Sequence, residues 1–450
     1  MDSFDRIVLA TIAGLALAMG GVIAAGDNVG APIVSVVPEP DSRPPITTPI
    51  KITFGQAMEV ETVPPRFAVQ PDVPGTFEWE GTTLVFEPRE PFMAEETYTI
   101  TIEAGAESTS GRQSKSYSWS FVPRSPGVLY LTPADVPVQS LWLATLDGDP
   151  PTEIFPTDFG VFDYEASPDG TQIMLTVLND QGGSDLWSVN ADGSSPRVTL
   201  ECGPAICSGP TWSPDGRQIA YERIEPSPSA GLGPSRVWLY DVASGETVPI
   251  FQDNQMLGFD PTWSPDGSRL AYFDPRQGVI RVLELGSGGG FLIRSSMGNV
   301  GVFSPDGTTM VYEDIQPIGQ QYFTQLFVAN LRSDEEGLGD FVDDPQEDRG
   351  AAWSPDGRWV AFGRTRLDRK EGLGSQLMLL EWETGDVQQI TDDPAFSNGQ
   401  FKWDPTGRYI LFSRIELEAA PVQPELWVYD TASGDPQMLV ENALVGRWVP

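Results

Sequence analysis

The segment Trp212-Ser213-Pro214-Asp215-Gly216 returns unchanged at 263–267 and 353–357, and in altered form at 166–170 (ASPDG), 303–307 (FSPDG) and 403–407 (WDPTG). Successive copies start 46, 51, 40, 50 and 50 residues apart. Self-similarity at that period marks an array of units, each of which buries its apolar face only against a neighbour. Two apolar runs follow each turn, as in QIAYER then RVWLYD or RLAYFD then VIRVLEL, and a short run such as TVPIF or VQQIT completes the unit. Four strands in each unit is the arithmetic of a propeller blade.

The turn has a local physical account. Pro at the second position presets φ for a type I turn, Asp suits the third, and Gly accepts the positive φ that follows. The preceding Ser, or Asp404 in the last copy, can cap the turn with a side-chain oxygen. Asp169, Asp215, Asp266, Asp306 and Asp356 are therefore read as turn formers and not as a ring of ligands, because Thr406 serves in the sixth copy. The aromatic before the turn is expected to pack between blades.

The ends of the repeat region carry a sharper expectation. GVLYLT, SLWLATL and TEIF precede the first turn and match second, third and fourth strands, whereas LVGRWVP after the sixth unit matches a first strand. Joined, they make one more blade and leave no open sheet edge. Residues 126–450 thus read as a seven-bladed propeller with a split closing blade, with six blades as the alternative. The turns resemble those of the TolB-like, WD-repeat-like β-propeller family over essentially all of this span. That resemblance implies a platform for protein or glycan binding, or a substrate gate when fused to a peptidase.

Composition agrees with an all-β, loop-rich chain: Gly 46 and Pro 41 in 450 residues are too many for long helices, and the 40% apolar fraction is too high for disorder. Residues 30–124 alternate apolar and polar positions in short runs, IKITF, GTFEW, TLVFEP, TYTITI and YSWSF, separated by Pro, Gly and Asp. Such runs read as a small antiparallel sandwich. With ITFGQAME, FEWEGTTLVFEP and GAEST, they resemble the SbsA-type bacterial Ig-like domain, which implies a spacer or presentation module on exported proteins.

Residues 1–29 are read as an anchor or signal segment. Residues 7–25 are uncharged and mostly apolar, long enough to cross a hydrocarbon core as a helix. Val22 and Ala24 offer a small-residue cleavage pattern, so a retained anchor and a removed signal both stand. Either exports the remainder, and Arg6 before the run favours a cytoplasmic N-terminus. The expectation is an extracytoplasmic protein, membrane-anchored through residues 7–25 or secreted. Cys202 and Cys207, the only cysteines, are close enough in sequence to bridge across a turn in an oxidising compartment.

The chemistry open to the chain is bounded by what it lacks. It has no histidine, which excludes a Ser-His-Asp triad, a Cys-His pair and a His-ligated zinc. Its net charge of -37 repels a phosphate backbone, so nucleic acid is not an expected partner. Long excursions at 224–235, 314–323, 365–375 and 415–424 are assigned to one face, where a rigid scaffold places binding. Near them Asp343, Asp344, Asp392 and Asp393, with Asp253 in an earlier unit, are candidate oxygen ligands for Ca²⁺ or ordinary strand-ending residues. The Gly-rich run at 286–290 lacks the helix N-terminus and Lys of a phosphate loop.

The sequence therefore predicts a non-enzymatic, monomeric binding or scaffold protein presenting a propeller to a protein or polysaccharide of the cell envelope. Its alternative is a glycosidase or lyase using paired carboxylates, which needs neither histidine nor a local motif.

Overall fold

The computed structural model describes residues 31–449 apart from 147, 228–230, 252–255, 333–345 and 368–372. The apolar run at 7–25 and the candidate ligands Asp253, Asp343 and Asp344 lie outside the described residues. Among those described, no helix is long and apolar enough to cross a membrane. The chain divides after Arg124 into two compact units.

The first unit is an antiparallel sandwich. One sheet orders its strands Ile33–Val37, Ile50–Phe54, Thr83–Pro88 and Gly75–Glu80; the other orders Phe67–Gln70, Tyr98–Ile102 and Tyr117–Phe121. Strict alternation in Ile50–Phe54 and Tyr98–Ile102 turns Ile50, Ile52, Phe54, Tyr98, Ile100 and Ile102 to the core. Phe92 is fully buried there and meets Tyr98 and Phe121 edge-on, at centroid distances of 4.7 and 5.3 Å. Each such side chain contributes about 1.5 to 3 kcal/mol of burial.

In the second unit the strands form small antiparallel arrays in chain order, two of which are joined into one eight-stranded sheet by a parallel bridge between Ser184 and Ile206. Leu444–Val449 pairs with Gly127–Thr132, which continues into Ser140–Thr145 and Thr152–Phe155. The two ends of the unit thus share one sheet. The next sheets begin with innermost strands Val161–Ala166, Ile206–Trp212, Phe259–Trp263, Val302–Phe303, Gln346–Trp353 and Phe396–Trp403. The closing sheet packs on both sides: Val128, Tyr130 and Ala144 meet Leu411, Leu426 and Val428, while Leu129, Leu131 and Val449 meet Tyr164, Ile173 and Leu175.

Each turn closes as its residues require. Ser167, Ser213, Ser264, Ser304 and Ser354 donate their hydroxyls at 2.6 Å to Asp169, Asp215, Asp266, Asp306 and Asp356. In the sixth copy Asp404 replaces the serine and accepts the amides of Thr406 at 3.0 Å and Tyr409 at 2.6 Å. The aromatics before the turns bind sheets together: the Nε1 groups of Trp212, Trp263, Trp403 and Trp448 donate to the carbonyls of Glu165, Thr211, Ala352 and Lys402 in the adjacent sheet.

The excursion expected as a loop at 314–323 is instead a paired ribbon, Thr309–Ile318 with Gln321–Asn330, in register to Ile318 opposite Gln321. Gly319 makes this tight reversal, with φ of 64°. Likewise Gln218–Ser227 and Gly231–Asp241 extend the hairpin through much of 224–235. Chain length that reads as loop is spent on ladder hydrogen bonds.

Candidate active site in the propeller channel

The innermost strands are bulged before they reach the turn aromatic. Pairing slips between Ser208 and Thr211, Phe259 and Thr262, Arg349 and Ala352, Gly399 and Lys402, and Leu444 and Arg447. At each slip the residue three before the tryptophan has positive φ: Gly209, Asp260, Gly350, Gln400 and Val445. Val445, β-branched at φ of 52°, adopts this only because its neighbours hold it. Tyr164, buried beneath, donates its hydroxyl toward the carbonyls of Leu129 and Val445.

A bulge re-aims side chains, and here all the innermost strands contribute to one cavity of about 440 Å³. The residue just before the aromatic position lines it in six sheets, as Glu165, Thr211, Thr262, Val302, Lys402 and Arg447. Asp163, Asp260, Glu222 and Glu313 add further carboxyl groups to the wall.

Most of these carboxyls are engaged. Arg447 bonds Asp163 at 2.8 Å and lies 3.9 Å from Glu165. Glu165 accepts the Trp212 amide at 2.7 Å. Glu222 accepts the Asp260 amide at 2.9 Å and the Ser235 hydroxyl at 3.1 Å. Glu313 accepts the Gly350 amide at 2.6 Å and the Asn299 side chain at 3.1 Å. Asp260 accepts the Val300 amide at 3.3 Å. The carboxylates therefore hold neighbouring sheets in place at the points where bulging frees their amides.

Burial pushes the Glu165 carboxyl above the usual carboxylate range, against the opposing pull of Arg447 and of the Trp212 amide. Glu222 is raised for the same reason. Loss of hydration and the adjacent Arg447 cation lower the Lys402 ammonium from its ordinary value. Lys402 and about 30% of the Glu165 side chain reach water, yet protein surrounds both. They face a water-accessible lumen, and that water weakens these shifts.

Of the acidic residues singled out in the sequence, the described pair Asp392 and Asp393 is placed away from this lumen. Asp393 is bound by Arg414 at 3.2 Å and accepts the Ala395 amide, and Asp392 accepts from Gln389 at 3.1 Å. Among the described residues no group of three or more acidic or cysteine side chains could hold a metal ion. Cys202 and Cys207 form a disulfide, buried in the connection between the second and third sheets against Met174, Leu186 and Trp212. The channel residues were not among the sequence candidates.

Residues 27–122 match the bacterial Ig-like domain. The uncharacterised peptidase YuxL of Bacillus subtilis is 24% identical over 210 residues, covering 45% of this chain and 29% of its own. The Tol-Pal system protein TolB of Alcanivorax borkumensis is 34% identical over 110 residues, 24% of each chain. The chain thus spans under a third of either relative's length. An oligogalacturonate lyase of Vibrio parahaemolyticus superposes with a TM-score of 0.50 at 14% identity, covering 70% of this chain and 86% of the lyase, a likeness of fold alone. The chain carries a bacterial Ig-like domain followed by a TolB-like β-propeller. The expectation of a protein without enzymatic activity is overturned by these comparisons, because the chain is related in sequence to a peptidase and shares its propeller fold with a lyase.

Proposed function

We propose that the protein is an exported polysaccharide-cleaving enzyme whose chemistry is carried by carboxyl groups in the propeller channel. The observation that carries this reading is Glu165: a carboxyl raised by burial and facing a 440 Å³ lumen that Asp163 and Asp260 also line. A carboxyl whose hold on its proton is strengthened by burial is suited to donate to a departing glycosidic oxygen, and a second carboxyl across the lumen to serve as base or nucleophile. With no histidine in the chain, peptide cleavage by a Ser-His-Asp triad is closed to it, which favours carbohydrate over peptide as substrate. The lyase fold likeness supports the same choice. An envelope location is supported by the Ig-like domain, the TolB relative and the buried disulfide, with residues 7–25 as anchor or export signal.

The full chain should be incubated with neutral, amino-sugar and uronate polysaccharides. New reducing ends would report hydrolysis, and ultraviolet absorbance of an unsaturated product would report elimination. Glu165→Gln is expected to lower the rate by about 10² to 10⁴. Absence of cleavage across the panel, or full activity in this variant, would remove the proposal.

A further inference from the structure

Lys402 differs from every other ionisable group of the channel. Asp163 is bound by Arg447, and Glu165, Glu222, Asp260 and Glu313 accept amide or side-chain donors from neighbouring strands. Among the described residues no hydrogen bond or ion pair engages the Lys402 ammonium, although it stands in the same lumen. An ammonium has three donors and no acceptor capacity, so its unmet demand is for an acceptor, best an anion.

Its position is also fixed. The Lys402 carbonyl accepts the Trp448 indole at 3.0 Å, and the slip between Gly399 and Lys402, with Gln400 at φ of 55°, sets where the side chain enters the lumen. The Arg447 guanidinium is bound to Asp163 and lies near Glu165, which leaves Lys402, among the described residues, as the channel cation with no hydrogen-bonded or ion-paired partner.

We propose that Lys402 is the anion-reading residue of the channel, pairing with a carboxylate or sulfate carried by a sugar ring and so selecting anionic over neutral glycans. This rests on the channel being a glycan site, and the two ideas fail separately.

Binding should be measured by titration calorimetry on the full chain with three probes: a short oligouronate, the same oligouronate methyl-esterified, and a sulfated neutral oligosaccharide. The oligouronate or the sulfated sugar is expected to bind at least about tenfold more tightly than the ester, as one charge-assisted hydrogen bond predicts. Preference for the oligouronate identifies the carboxylate as the group read, and preference for the sulfated sugar identifies the sulfate. Lys402→Met is expected to erase that preference without changing the affinity of the ester, and Lys402→Arg to restore part of it. Equal binding of ester and acid, an unchanged preference in Lys402→Met, or no binding of any probe would overturn the inference. Binding without cleavage would leave the anion-reading role standing and remove the enzymatic reading, whereas cleavage confined to neutral glycans would do the reverse.

Discussion

The indole Nε1 of Trp448 donates to the carbonyl of Lys402 at 3.0 Å. Trp212, Trp263 and Trp403 make the same bond to Glu165, Thr211 and Ala352. Trp448 makes it at the junction of the chain's two ends, since its strand pairs with Gly127–Thr132 and packs beside Phe396–Trp403. Ring closure therefore uses the same bond as the joins between consecutive sheets.

Trp448→Phe is expected to lose about 1 kcal/mol of stability, the net worth of that bond. Trp353 supplies the control, since its Nε1 is buried with no hydrogen-bond partner among the described residues and its ring packs edge-on against Trp382 at 4.4 Å. Trp353→Phe should therefore cost less than Trp448→Phe in urea unfolding of the full chain. The opposite order would mean that packing area, and not the interblade bond, sets the energy.

Glu165 makes stability depend on pH in a direction its raised value dictates. Its contribution is fully present below the unfolded glutamate range and is lost as pH rises through the higher folded value, because across that window the native state holds the extra proton. Glu165→Gln cannot ionise, so it should match the parent in acid and gain on it toward neutral pH. Melting temperatures of the two proteins across that window would show it; parallel profiles would contradict the buried carboxyl.

Arg364 and Asp348 form a pair at 2.8 Å whose side chains are 12% and 2% exposed. Arg364→Ala leaves a buried carboxylate without its cation and should cost about 3 to 5 kcal/mol by denaturant titration. Burial already holds Asp348 above its ordinary range, so the variant should recover stability as pH falls and the carboxyl protonates. A loss independent of pH would point to packing alone.

Cys202 and Cys207 are five residues apart and bridged. On a chain-entropy basis Cys202→Ser with Cys207→Ser should cost about 2 kcal/mol, with a similar loss on adding reductant. Reduction that leaves the melting temperature unchanged would show that the buried contacts with Met174 and Trp212 hold this connection unaided.

Much of the fold was legible because its causes are local. Pro, Asp and Gly fix the turn by φ and side-chain capping within five residues, and the alternation in IKITF and TYTITI decides which residues face the sandwich core. Two sandwich strands, Ile33–Val37 and Phe67–Gln70, were not singled out: the first shows little burial contrast between its two faces, and the second is only four residues long. The loop-face acids drew attention because they repeat, but at Asp393 a partly buried arginine, unremarkable in sequence, answers the charge.

The channel was readable in part. Aligned on the turn, the position before the aromatic carries charge only at Glu165, Lys402 and, in the terminal repeat, Arg447. That signal was not taken up, since nothing in a single repeat says that this position faces a lumen and not the flank of the next sheet.

The sequence alone determined the turn and the strands that follow it, and set the two cysteines within reach of a bridge, because each depends on residues a few positions apart. Only the tertiary structure decided the site. Arg447 meets Asp163 from 284 residues away, and the bulges that aim these side chains inward donate their amides to carboxylates of adjacent sheets, as Asp260 does to Glu222 and Gly350 to Glu313. The charges acquire their function from the closed ring, which gathers groups from both ends of the unit into one partly dehydrated space.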